Sequence, residues 1–193
     1  RFKGFEGTYD GKAHSITVTV TTPAEGAVVK YGTTEGSYDL DASPTYTDAG
    51  RYIVYYQVTK TGYLSVTGSE VISITPGTGS ISFAEASVSK TVGDEPFTNA
   101  LTNTGDAAVT YESSETNVAT VDANGQVSIV GAGETTITAT VGDGINYIYE
   151  DKTATFTLTV EAQEEPEPQP QPVEPTLSWV DANQNPVDAV TVT

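Results

Sequence analysis

The sequence predicts an all-β chain of β-sandwich type, and three observations predict it. Apolar and polar residues alternate with period two through residues 16–20, 109–111, 127–129, 137–141 and 156–160, as they do in strands with one buried face. Thr, Val, Ile and Tyr fill those runs, and these are the side chains that fit a pleated surface. Turn clusters punctuate them at short intervals, at Asp10-Gly11, residues 33–37, Asp48-Ala49-Gly50 and Asn124-Gly125. No stretch sustains a helical period. Many short strands with regular turns mean a sandwich or a barrel.

Taken in order, the chain divides into five pieces. Residues 1–75 form a first strand-rich domain, and Pro76-Gly77-Thr78-Gly79-Ser80 reads as a short linker. Residues 81–160 form a second domain. Residues 161–175 are a Pro/Glu/Gln tract, in which repeated proline removes backbone donors and favours an extended, semi-rigid spacer. Residues 176–193 turn strand-like again around Leu177, Trp179 and Val180, too short to bury a core and expected to open a truncated further module. An exposed strand of that kind seeks a sheet edge, so strand-mediated self-association through 176–193 is expected.

Composition excludes several functions. Eight basic side chains stand against 26 acidic ones, a net charge of −18, which repels phosphate and disfavours nucleic acid and anionic lipid alike. The first 75 residues hold six basic and eight acidic groups, whereas residues 161–193 hold seven acids and no base. The acidity therefore gathers toward the second domain and the spacer, as in a solvated stalk. Without cysteine there is no disulfide, thiol nucleophile or thiolate metal site. Apolar runs are too short to span a bilayer. Arg1-Phe2-Lys3-Gly4 opens no signal peptide, and the chain reads as an excised piece whose export signal lies upstream.

Asp48-Ala49-Gly50-Arg51-Tyr52-Ile53-Val54 is the most informative local pattern. It has the Asp-x-Gly-x-Tyr-x-Cys shape that leads into strand F of immunoglobulin domains, with Val54 in the cysteine position. The Tyr52 hydroxyl is expected to bond backbone a few residues upstream, a tyrosine corner. Alternation puts Tyr52, Val54, Tyr56 and Val58 on the inward face and Ile53, Tyr55 and Gln57 on the other. Forgoing the disulfide loses roughly 2–4 kcal/mol, and a buried Val54 against Ile16 and Val18 returns about 1.5–3 kcal/mol per side chain. With Tyr9-Asp10-Gly11-Lys12, Val29-Lys30-Tyr31-Gly32 and Gly62-Tyr63, the first domain resembles bacterial Ig-like repeats with a Tyr-Asp-Gly opening. That resemblance implies a sandwich repeat of large exported proteins and hands over no catalytic residue.

The second domain carries Tyr111-Glu112-Ser113-Ser114, residues 118–127 with Asp122-Ala123-Asn124-Gly125 among them, and Gly131-Ala132-Gly133 before a strand. Asp122 to Gly125 suits a hairpin turn, and the Gly-Ala-Gly lets the chain bend into the next strand. The whole resembles a bacterial Ig-like group 2 domain, of the type found in intimin- and invasin-like adhesins. The family implies a stalk or spacer and hands over no ligand residues. One departure is the longer aromatic stretch of residues 142–151 between the last two strands.

Few residues suggest chemistry. His14 is the lone histidine, and no Gly-x-Ser-x-Gly accompanies it. Carboxylates are abundant, but they lie on turns and linkers without a cleft, so catalysis is not expected. Calcium ligands are conceivable at Asp122 with Asn124, Asp143 with Glu150 and Asp151, and Asp181 with Asn183, although none has EF-hand spacing and turn Asx residues usually cap their own backbone. Tyr55, Tyr147 and Tyr149 are the tyrosines expected to be exposed and able to stack on sugars. The expected role is a structural or adhesive module of a bacterial surface or secreted protein, extracellular, not an enzyme, without cofactor, catalytic or metal residues. Its expected partner is a protein or glycan. The rival reading is an accessory carbohydrate-binding module of a larger secreted enzyme.

Overall fold

A computed structural model describes residues 2–22, 24–165, 180, 182 and 183 of the chain. By contacts, the chain falls into two compact units, Arg1–Gln163 and Glu164–Thr193. Every regular element among the described residues is a strand. In the second unit the described Val180 is about half exposed. Most of the spacer tract, Trp179 and the strand-addition expectation for 176–193 lie outside the described residues.

The first half of unit one holds β1 (Phe2–Lys3), β2 (Phe5–Thr8), β3 (Thr17–Val18), β4 (Val28–Gly32), β5 (Gly50–Thr59) and β6 (Val66–Thr75). Its main sheet has the order β2-β6-β5-β4. The long hairpin β5–β6 is antiparallel, with Tyr52 opposite Ile72, whereas β2 lies parallel to β6, with Phe5 opposite Ile72. Across from it lie the β1–β3 pair and a bridge between His14 and Tyr46. Ile16, Val54, Tyr56, Ile72 and Ile74 fill the space between, with Val18, Tyr52 and Val58 packed against them. The inward face of β5 is therefore the one alternation predicts, and Val54 meets Ile16 where a disulfide would otherwise cross. The strand expected over 16–20 shortens to Thr17–Val18, because the Ile16 N–H is held by Ser43 Oγ at 3.1 Å and not by a ladder partner.

The rest of unit one holds β7 (Gly77–Gly79), β8 (Ile81–Phe83), β9 (Ser87–Thr91), β10 (Phe97–Thr98), β11 (Leu101–Asn103), β12 (Val109–Ser113), β13 (Ala119–Val121), β14 (Gln126–Ile129), β15 (Gly133–Val141), β16 (Tyr147–Tyr149) and β17 (Thr153–Glu161). The main sheet runs β12-β15-β17-β9 and is covered by β10-β14-β13 and the β8–β11 pair. Val127, Ile137, Phe156 and Leu158 are buried between them. Asp122 to Gly125 makes the expected hairpin turn, with Gly125 at φ 80°. The Asp122 carboxylate accepts the N–H groups of Asn124 (2.8 Å) and Gln126 (2.9 Å) and so serves its own turn.

The two sandwiches share a scheme. Gly50 at the start of β5 pairs with Ile74, and Gly133 at the start of β15 pairs with Val160. Laying residues 48–58 over 131–141 puts Ile137 where Val54 stands, both fully buried, and Thr135 where Tyr52 stands. In both, the early strand runs parallel beside the last one, β2 with β6 and β9 with β17.

Residues 76–80 correct an expectation. They do not form a free linker: β7 pairs in parallel with β16, Tyr147 opposite Gly77 and Tyr149 opposite Gly79. The chain passes from one sandwich into the other already inside a sheet. Likewise Glu161, assigned to the spacer, ends β17 opposite Thr91.

Candidate functional site

The described residues bring their densest set of side-chain interactions together where the two sandwiches meet, on the stretch 142–152 between β15 and β17. In the first sandwich the matching connection between β5 and β6 spans only 60–65. The longer loop is tied down at each step. The Gly144 N–H donates to the Tyr147 carbonyl at 2.9 Å and the Val141 N–H to that of Lys152, also at 2.9 Å. The Asp143 carboxylate accepts the Tyr149 N–H at 3.2 Å and pairs with Lys152 Nζ at 2.8 Å. The Lys152 ammonium, then the Tyr149 N–H, hold the Asp143 carboxyl below its ordinary value.

Asn146 sits at the centre, only 8% exposed, with every polar group used. Its backbone N–H donates to Asp106 Oδ2 at 2.8 Å, and its carbonyl accepts the Gly77 N–H at 2.8 Å. Its side chain crosses to the first sandwich: Oδ1 accepts the Ala49 N–H at 2.7 Å, and Nδ2 donates to Asp48 Oδ1 at 3.1 Å. Beside it the Tyr147 ring meets the Tyr9 ring edge-on, centroids 5.4 Å apart and planes at 75°. Such a pair adds about 0.5–1.5 kcal/mol beyond the area it buries.

Asp48 and Ala49 belong to the corner turn. The Tyr52 hydroxyl donates to the Asp48 carbonyl at 3.0 Å, the tyrosine corner that the motif predicts. The Tyr52 ring stacks on Tyr46, centroids 4.0 Å apart. The turn that Asn146 reads is thus held from inside its own sandwich. In the second sandwich Thr135, 2% exposed, takes the corner position, where its Oγ1 accepts the Glu115 N–H at 3.0 Å and contacts the Ser113 and Ser114 hydroxyls at 2.9 and 3.2 Å.

The residues singled out for chemistry resolve into structural roles. Tyr149 was expected on the surface and is 2% exposed: its hydroxyl donates to Asn103 Oδ1 at 2.6 Å and accepts the Ala107 N–H at 3.3 Å. Pairing of β16 with β7 turns it into the core, so it is no sugar platform. Tyr147 is half-buried against Tyr9, and Tyr55 is half-buried on the outer sheet face. The three tyrosines do not converge. Of the calcium candidates, Asp122 caps its turn, Asp143 pairs with Lys152, Glu150 and Asp151 lie exposed, and Asp181 falls outside the described residues. His14 lies flat on Phe5, centroids 3.5 Å apart, with Nε2 at 2.9 Å from Asp10 Oδ1. The Lys12 N–H and His14 lower the Asp10 carboxyl.

Sequence reasoning missed Asn146, Asp48 as its receptor, and Thr135. The signal for the first was the unexplained length of 142–151 against 60–65. For the last it was the alignment of the two Gly-led strands, β5 and β15.

The family model of the intimin immunoglobulin-like domain matches residues 98–143, within the second sandwich, and so stops short of Asn146. Among solved structures, the chain is similar to mouse cadherin-23 EC22-24 at 15% identity, over 85% of this chain and 64% of that one, TM-score 0.41. Domains 4 and 5 of the S-layer protein SbsC are similar at 20% identity, over 77% and 82% of the two chains, TM-score 0.42. Fibronectin(III)-like modules of Clostridium thermocellum CbhA are similar at 12% identity, over 84% and 94%, TM-score 0.32. The chain spans under two thirds of the cadherin-23 chain it matches. No curated protein matches it.

Proposed function

We propose that the chain is a structural and adhesive part of an extracellular bacterial surface or secreted protein: two Ig-like domains, residues 1–75 and 81–160, that space or present a contact made elsewhere, with no catalysis of their own. The observation that carries this is the pairing of end strands. With β2 parallel to β6 and β9 parallel to β17, the chain enters each sandwich at one pole and leaves at the other. Pull along the chain then loads each ladder in shear, all bonds at once, and does not peel them one by one. A spacer needs that property, and a soluble catalyst does not. The intimin Ig-like match within the second sandwich supports the same reading.

Single-molecule stretching tests it. The chain has no cysteine, so introduced cysteines can serve as handles. Tethered at residues 1 and 165, the molecule is expected to unfold at high force, a rate-governed event. Tethered at Gly26 and Gly62, which flank the adjacent ends of antiparallel β4 and β5, the first sandwich should unzip at much lower force. Equal forces in the two geometries would sink the spacer reading. The rival, an accessory carbohydrate-binding module, has one of its three candidate tyrosines, Tyr149, buried, and on the spacer reading a glycan array probed with this chain is expected to stay blank.

A further inference from the structure

We propose that the joint is a recognition site between modules, in which the Asp-Ala of a corner turn is the receptor for a loop asparagine of the module that follows. This deepens the spacer reading and rests on it. A carboxamide presents one acceptor and one donor side by side. Asp48 and Ala49 present the complement, a carboxylate oxygen and a backbone N–H, and both bonds form, at 3.1 and 2.7 Å. Neither a carboxylate nor an ammonium in place of Asn146 could satisfy both partners. The amide is presented rigidly, because Asp106 and Gly77 hold the backbone of Asn146 from its own side. The receptor is rigid too, because Tyr52 pins the Asp48 carbonyl. Two preorganised surfaces that meet through directional bonds fix an angle as well as a partner.

The recognition is selective within this chain. The corner of the second sandwich reads Gly131-Ala132-Gly133 with Thr135 at the tyrosine position, so it offers no carboxylate at the place of Asp48. The connection 60–65 of the first sandwich, in the place of the asparagine loop, carries no amide and instead exposes Tyr63 and Leu64. Only one pole of each sandwich therefore fits the other, and the order of the two is written in Asp48 and Asn146.

A charge swap tests this on the whole chain, read by residual dipolar couplings of backbone amides. The wild type should align as one body, a single tensor fitting residues 5–75 and 81–160. Asn146→Asp sets carboxylate against carboxylate and should split the fit into two tensors, with amide shifts remote from the joint unchanged. Asp48→Asn together with Asn146→Asp restores a donor at 48 and keeps the Ala49 bond, and should restore the single tensor. Such rescue isolates the pair, since a merely structural Asn146 would not respond to residue 48. Two tensors in the wild type, one tensor in Asn146→Asp, or no recovery in the double variant would each overturn the proposal. The stretching forces above stand or fall separately, since they depend on ladders inside each sandwich.

Discussion

The Tyr52 hydroxyl donates to the carbonyl of Asp48, 3.0 Å away and four residues back, while the carboxylate of the same Asp48 accepts Asn146 from the other sandwich. One residue thus couples a bond that closes a turn to a bond that joins two bodies. Tyr52→Phe should lose the first directly, about 0.5–1.5 kcal/mol for a net hydrogen bond. Tyr55, on the outer face of the same strand, should tolerate Phe with little change. Urea midpoints measured at constant slope compare the two, and equal shifts would remove the corner assignment.

Thr135 stands in the second sandwich where Tyr52 stands in the first, but its hydroxyl ties residues 113–115 at the end of β12 and not its own turn. It is buried, and Oγ1 satisfies the Glu115 N–H. Thr135→Val keeps the shape and leaves that donor unmet, a cost of about 1–3 kcal/mol. Thr135→Ser keeps the hydroxyl and should recover most of the loss on the same urea curve. If Val and Ser behave alike, packing and not the hydroxyl holds this corner.

How much of this was legible depends on sequence distance. Val54 and Tyr52 were readable because alternation within one strand sets which side faces in, and the turn that precedes them is local. The hairpin at Asp122 was readable for the same reason. Tyr149 was not: its burial comes from pairing of β16 with β7, some seventy residues earlier in the chain, and no local period carries a parallel partner that distant. The same pairing explains why Gly77 to Gly79, inside a run with a linker's composition, are built into a sheet. The match of Asn146 to Asp48 was invisible because it requires the relative placement of two sandwiches. Only the surplus length of 142–151 hinted at it.

Tyr149 should report on this hidden pairing. Tyr149→Phe removes the donor to Asn103 and the acceptor for the half-buried Ala107 N–H, while Asn103 Oδ1 keeps the Gly105 N–H, a cost of about 1 kcal/mol. Gly105 lies so close over the phenol that an added Cβ overlaps the hydroxyl oxygen. Gly105→Ala should therefore cost about 1–3 kcal/mol for overpacking. Combined, they should cost less than the sum, because Phe removes the nearest of the overlaps, while the ring carbon Cζ at 2.6 Å keeps part of the crowding. Strict additivity in thermal or urea unfolding would mean that the two do not share this contact.

Acid should weaken the fold through three named turns. In Asp122 the Gln126 and Asn124 N–H groups lower the carboxyl, in Asp143 the Lys152 ammonium and the Tyr149 N–H do so, and in Asp10 the Lys12 N–H and His14 do so. Each carboxyl therefore ionises at lower pH in the folded chain than in the unfolded one, where the value is near 3.9. As pH drops below about 4, the unfolded chain takes up these protons first, so it binds more protons than the folded chain and stability falls. The contribution is complete above that value and is lost as pH falls through the depressed folded-state values. Asp122→Asn is the clean probe: the amide oxygen can still accept from the turn, but it no longer titrates. Urea midpoints followed from pH 6 down to pH 2 should fall less steeply in this variant than in the wild type, and still less steeply when Asp143→Asn is added. A parent slope unchanged by both substitutions would mean that other carboxylates carry the acid sensitivity and that the turn bonds exert no pull on these protons.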